Sequence, residues 1–160
     1  MRELMALAER VGALLKARGE TVSVAESSSG GLISAALLGV PGASAYYLGG
    51  GVIYTPKARA VLMDLPRAAV AGMRSASEDY ALLLARTARE RLAATWGVSE
   101  TGAAGPTGNP YGDAAGHSCI ALSGPLEVAI TLETASPDRI ANMHAFAAAA
   151  LELLLKGLEA

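Results

Sequence analysis

The chain has 160 residues, 52% hydrophobic but only 4% aromatic, and a formal net charge of −2. That length suits one domain whose core is built from Ala, Leu, Val and Ile, as a compact α/β layer protein requires. The absence of a basic cluster excludes an electrostatic case for DNA or RNA binding, and a single cysteine, Cys119, excludes an internal disulfide and a cysteine-based zinc site.

The amino-terminal stretch MRELMALAERVGALLKARG is amphipathic and mixed in charge. Leu4, Leu7, Ala8, Val11, Leu14 and Leu15 recur at helical spacing over residues 3–18, and Gly19 follows as a stop. It lacks the apolar centre and cleavage site of a signal peptide. No run of about 18 apolar residues occurs either, so a cytoplasmic protein without a membrane segment is expected. TVSVAE (21–26) alternates and is β-branched, predicting a strand. A helix follows over 29–38 and ends at Gly39 and Pro41-Gly42. AYYLGGGVIY (45–54) reads as a strand in which Gly49-Gly50-Gly51 mark a bulge or a close backbone approach.

Pro56 opens a short helix through Met63, and another helical piece leads from Pro66 to Ser75. Residues 77–95 form the clearest helix, with Tyr80, Leu83, Leu84, Thr87, Ala88 and Leu92 inward. GVSETGAAGPTGNPYGDAAG runs from a strand into a long glycine-rich loop. HSCIAL (117–122) and LEVAITLET (126–134) read as a hairpin about Ser123-Gly124-Pro125. Ser136-Pro137-Asp138 caps a last helix to about residue 158. Cys119, inside the hairpin, reads as a small buried hydrophobe. No linker or repeat divides the chain, so one domain over 1–160 is expected.

Two of these junctions carry glycine-rich loops. Glu26-Ser27-Ser28-Ser29-Gly30-Gly31 lies between a strand and a helix, where backbone N–H groups and the helix dipole favour an anion. It fits neither GxxxxGK[ST], nor GxGxxG, nor GxSxG. Three readings stay open on spacing alone: a helix cap by Ser28 or Ser29, a phosphate cradle, or a nucleophile on a tight turn. The second loop, Thr101-Gly102-Ala103-Ala104-Gly105-Pro106-Thr107-Gly108, is either a flexible connection or an amide nest for an anion. Two such loops at the carboxyl ends of strands mark a ligand crevice in an open α/β sheet.

ESSSGG, the strand end at Tyr54-Thr55, Ser77-Glu78, TGAAGPTG and SPDR follow one another in this order. Together they resemble the CinA carboxyl-terminal domain family, the nicotinamide-nucleotide amidohydrolases or NMN deamidases, over essentially the whole chain. The resemblance implies a three-layer α/β/α sandwich and metal-independent, cofactor-free hydrolysis of the carboxamide of nicotinamide mononucleotide to the acid and ammonia, in pyridine-nucleotide salvage. It also implies a small nucleotide as partner and, with the low aromatic count, a homo-oligomer. The family motif ESCTGG makes Ser27 the nucleophile, with Ser28, Ser29, Gly30 and Gly31 shaping and capping the loop and amides at the helix start supplying an oxyanion site. Tyr54 and Thr55 match a family Y-[ST] pair. The family's lysine in that motif is Arg59 here, and an arginine side chain keeps its proton near neutral pH.

Lys57 is the obvious substitute base, although residues two apart point to different helix faces. Glu26, Glu100 and His117 are further titratable candidates near the strand ends, a structural role being favoured for His117. Thr101, Gly102, Ala103 and Gly105 are expected to contact the substrate, and Arg139 to meet a phosphate, a neighbouring subunit or a salt-bridge partner. Asp113-Ala114-Ala115-Gly116 stands where the family often has KPVG. Two rivals follow from these departures: a catalytically silent nucleotide binder, and an amidase acting on another carboxamide.

Overall fold

A computed structural model describes residues 1–160. Strands β1 (Val22–Glu26), β2 (Tyr47–Val52), β3 (Trp96–Ala103), β4 (His117–Ser123) and β5 (Val128–Glu133) form one sheet in the order β2-β1-β3-β4-β5. β1 is parallel to β2 and β3, whereas β4 and β5 add an antiparallel hairpin. Helices α1 (Arg2–Arg18), α2 (Leu32–Leu38) and α5 (Arg139–Glu159) cover one face. Helix α4 (Glu78–Leu92) covers the other, where the residues closing the short helix α3 (Pro56–Leu62) also pack. This is the three-layer α/β/α sandwich that the sequence led us to expect.

Period-two alternation sorts the strands between the layers. Val22, Val24, Trp96, Val98, Ile120 and Leu122 enter the core beneath α1, α2 and α5. Ala25, Cys119 and Ala121 face the α4 side. On α1, Leu4, Ala8, Val11 and Leu15 are all buried. Each such Leu or Val stabilises the fold by about 1.5–3 kcal/mol. The residues on the α4 side are small because that helix lies close: a Cβ on Gly97 would overlap the Ala85 carbonyl. Gly50 likewise allows β1 and β2 to approach, since its Cβ would fall 2.5 Å from the Val24 oxygen. The register shift between Val22 and Ser23 supplies the expected irregularity.

Helix starts follow their capping residues. Thr55, Ser77 and Asp138 accept from the amides of Ala58, Tyr80 and Ala141. Two expectations are corrected. Leu92, expected to face inward, is exposed, because α4 ends there as Ala93 turns left-handed. The second helix begins at Leu32 rather than Ser29, because Gly30 and Gly31, at φ +67° and +99°, hold a turn ahead of it.

Because β1, β2 and β3 are parallel, their carboxyl ends share one edge of the sheet. That edge delivers Ser27, Tyr54 and the loop after Ala103 to one place.

Candidate active site

Two buried carboxylates organise the turn after β1. Glu26, fully buried, accepts from the Ser29 hydroxyl at 2.7 Å and from the amides of Gly31, Ile33 and Ser34 at 2.9, 3.1 and 3.0 Å. Glu100, equally buried on the neighbouring β3, accepts from the amides of Ser27 and Ser29 and the hydroxyls of Ser28 and Ser118. A carboxylate accepts through two oxygens with about four lone-pair sites, so each of these two is engaged by the protein. No buried side-chain nitrogen or oxygen lacks a partner.

The helix cap is therefore neither Ser28 nor Ser29 but the Glu26 carboxylate, which also complements the positive end of the α2 dipole. The expected oxyanion site is smaller for the same reason. Of the amides from Ser27 to Ser34, the Gly30 and Leu32 groups bond to carbonyls and only that of Ser28 donates to no protein group. Glu26 and Glu100 are acceptors in this scaffold and not free bases.

The three serines separate cleanly. Ser29 is fully buried, and its hydroxyl is held by Glu26; the Ser28 hydroxyl is held by Glu100 at 2.5 Å. Ser27 is half-buried, and its hydroxyl has no protein partner and lines a cleft of about 290 Å³. Tyr54, Thr55, Arg59, Tyr80, Thr101 and Gly102 line the same cleft. A second part of about 250 Å³ shares Tyr54, Gly102 and Asn109 with it. There Ser28, Ala103, Gly105, Thr107, Gly108 and Arg139 form the wall. The amides of Gly105, Thr107 and Gly108 bond to no group of the protein. Arg139 donates to the Gly105 carbonyl and, at 3.2 Å, to the Tyr54 hydroxyl, joining α5 to both loops.

Arg59 is 8% exposed, and its Nε donates to the Leu65 carbonyl at 2.9 Å. Burial raises the Tyr80 phenol above its usual range, and the Arg59 guanidinium beside it pulls partly the other way. Thr55 and Thr101 face the cleft with occupied hydroxyls: Thr55 caps α3, and Thr101 accepts from the Ala76 amide at 3.1 Å. Lys57 is exposed and lines neither part of the cleft, as expected for a residue two positions from Arg59 on a helix. Gly30 and Gly31 line neither part as well. A Cβ on Gly30 would meet the Met143 methyl at 2.7 Å, so the glycines serve packing and the turn. Ser29, Gly30, Gly31 and Lys57 thus stand outside the lining of the cleft.

His117 braces the wall of the cleft from behind. Its Nε2 contacts the Ala76 carbonyl at 2.7 Å and its Nδ1 the Glu133 carboxylate at 2.5 Å. Burial disfavours the imidazolium, but these bonds and the nearby Asp113 charge outweigh it and raise the His117 pKa. Asp113 lines neither part of the cleft. Arg74 at 2.5 Å and Asn109 at 2.8 Å hold its carboxyl below the usual range despite the opposing effect of burial. Asn109 also accepts from the amides of Tyr111 and Asp113, closing the loop. The Asn-Pro-Tyr-Gly turn was the available signal for Asn109, whereas nothing local marked Tyr80 or Ser118 as neighbours of the site. No three His, Cys, Asp or Glu side chains gather as metal ligands, and no helix is long and apolar enough to cross a membrane.

These features define an α/β/α domain with a polar cleft of small-molecule size at the carboxyl edge of its parallel strands. The chain belongs to the CinA C-terminal domain family, whose model matches residues 4–158. A CinA-like protein of Salinibacter ruber is 39% identical over 142 residues, covering 89% of this chain and 34% of that protein. A CinA-like protein of Desulfosudis oleivorans is 37% identical over 155 residues, covering 96% and 38%. The chain spans about a third of the length of these relatives. The competence/damage inducible protein CihA from Agrobacterium tumefaciens has the same fold, with a TM-score of 0.90 at 29% identity over 99% of this chain and 96% of that one. A CinA superfamily protein from Klebsiella pneumoniae, at 24% identity, shares the fold with a TM-score of 0.91 over 98% of each chain.

Proposed function

We propose that this chain binds a pyridine mononucleotide and hydrolyses its carboxamide slowly, with Ser27 as nucleophile. The observation that carries this reading is the free hydroxyl of Ser27 in the cleft, beside two serines whose hydroxyls are both locked on carboxylates. The nucleotide phosphate would sit against Arg139 and the amides of Gly105, Thr107 and Gly108, and the ring against Tyr54. The Ser27 oxygen would attack the carboxamide carbon, with the developing oxyanion facing the Ser28 amide. Collapse would expel ammonia and leave an acyl-serine, which water would cleave to the acid and regenerate Ser27. One positioned donor supports such an oxyanion by about 3 kcal/mol.

A base for the serine proton is the weak element. The ionisable side chains lining the cleft are those of Tyr54, Arg59, Tyr80 and Arg139, with no lysine, histidine or carboxylate among them. Arg59 in the family's lysine position therefore favours a second reading, a binding domain without useful turnover. Ammonia release from nicotinamide mononucleotide by the wild type and by Ser27→Ala separates the two. Slow turnover abolished in the variant supports hydrolysis. Binding without turnover supports the second reading.

A further inference from the structure

The cleft carries two cations and no acid. Arg139 stands in one part, beside the unbonded amides of the second loop. Arg59 lines the other, together with Ser27 and Thr101. No Asp or Glu lines either part, although the chain as a whole has a net charge of −2. The neighbouring carboxylates are committed elsewhere: Glu26 and Glu100 to the serine turn, Asp113 to Arg74. A ligand lying along the cleft thus meets positive charge at two separated places.

Donor and acceptor chemistry sharpens this. A guanidinium offers only donors. A carboxamide facing Arg59 would use its carbonyl and turn its own NH2 donors against the remaining N–H groups. A carboxylate would instead accept from two N–H groups in the fork geometry that makes such pairs strong. Arg59 is buried, its Nε is held by the Leu65 carbonyl and its guanidinium lies beside the Tyr80 hydroxyl, so its remaining N–H groups are restrained before a ligand arrives.

We propose that the cleft selects a pyridine mononucleotide bearing a ring carboxylate over the corresponding carboxamide, with the phosphate at Arg139 and the carboxylate at Arg59. This rests on the mononucleotide reading above. The chain then holds the acid class of nucleotide more firmly than the amide class, and Arg59 is its specificity-determining residue.

Titration calorimetry of wild type, Arg59→Gln, Arg59→Lys and Arg139→Gln with nicotinate mononucleotide and nicotinamide mononucleotide tests the proposal. The wild type is expected to bind the acid at least about tenfold more tightly. Arg59→Gln should bring the two ligands within about threefold, and Arg59→Lys should keep a reduced preference, because it retains charge without the fork. Arg139→Gln should weaken both ligands alike. Equal binding of the two ligands by the wild type, or tighter binding of the carboxamide, overturns the proposal while leaving the mononucleotide reading intact. So does an acid preference that survives in a folded Arg59→Gln. Binding of neither ligand removes both. The wild-type comparison decides the matter even if Arg59→Gln fails to fold.

Discussion

Replacing Arg59 with lysine puts an amine that can lose its proton where the present side chain cannot. The lysine nitrogen would reach about the position of the guanidinium carbon, in a site where the native side chain is 8% exposed. Burial lowers a lysine pKa. Burial of that kind leaves roughly one molecule in ten neutral near neutral pH. A positioned base contributes about 10²–10⁴-fold, so the expected gain in turnover is about 10–10³-fold, rising with pH toward the lysine's own titration. The change also removes the Nε donor to the Leu65 carbonyl, held at 2.9 Å, at a cost of about 1 kcal/mol in stability. Ammonia release from nicotinamide mononucleotide, followed from pH about 6.5 to 8.5 beside a urea titration, measures both effects. Fast wild-type turnover that Arg59→Lys leaves unchanged or lowers would refute the reading that the site lacks a base at position 59. No gain in a variant that still binds nucleotide would move the conclusion to the binding-only reading.

Ser27→Ala should abolish whatever turnover the wild type has and leave the urea midpoint unchanged, since the lost hydroxyl has no protein partner; turnover within about tenfold of wild type would place the nucleophile elsewhere. Glu26→Gln should destabilise the fold by about 2–4 kcal/mol, because the charge is lost and the new amide nitrogen must face at least the Ser34 N–H even when its oxygen keeps the donors of Ser29, Gly31 and Ile33. A loss below about 0.5 kcal/mol by urea unfolding would contradict the role given to that carboxylate. His117 has a raised folded-state pKa, so its contribution is full below its unfolded value near 6.5 and is lost as pH rises through the higher folded value. The stability difference between wild type and His117→Gln should accordingly be larger at pH about 5.5 than at pH about 8.5, and a difference that grows with pH would overturn the protonated brace.

Much of the fold is local in origin and is legible in the sequence. The stripe of α1, the alternation in β1, the threonine, serine and aspartate caps and the glycine stops each act within a few residues. They predicted their elements to within a few positions. The order of the motifs along the chain also carried the family and the position of Ser27, because a strand that ends before a serine turn puts that turn at the sheet edge. The sequence by itself also determined that Arg59 cannot serve as lysine does, a matter of side-chain chemistry alone.

What only the tertiary structure decided is how the polar groups of the ESSSGG turn are paired. Glu26 lies within a few residues of its donors, yet nothing in the order of residues tells a base from a cap. Glu100 lies 73 positions from Ser27, and it reaches the turn only because β1 and β3 are neighbours in the sheet. That pairing locks Ser28 and Ser29, leaves Ser27 free and consumes amides that would otherwise serve an anion. Arg139 likewise meets Tyr54 across 85 positions because α5 packs over the sheet edge. Hydrogen-bond satisfaction in a buried site is a property of all the groups that converge there, and only the fold brings them together.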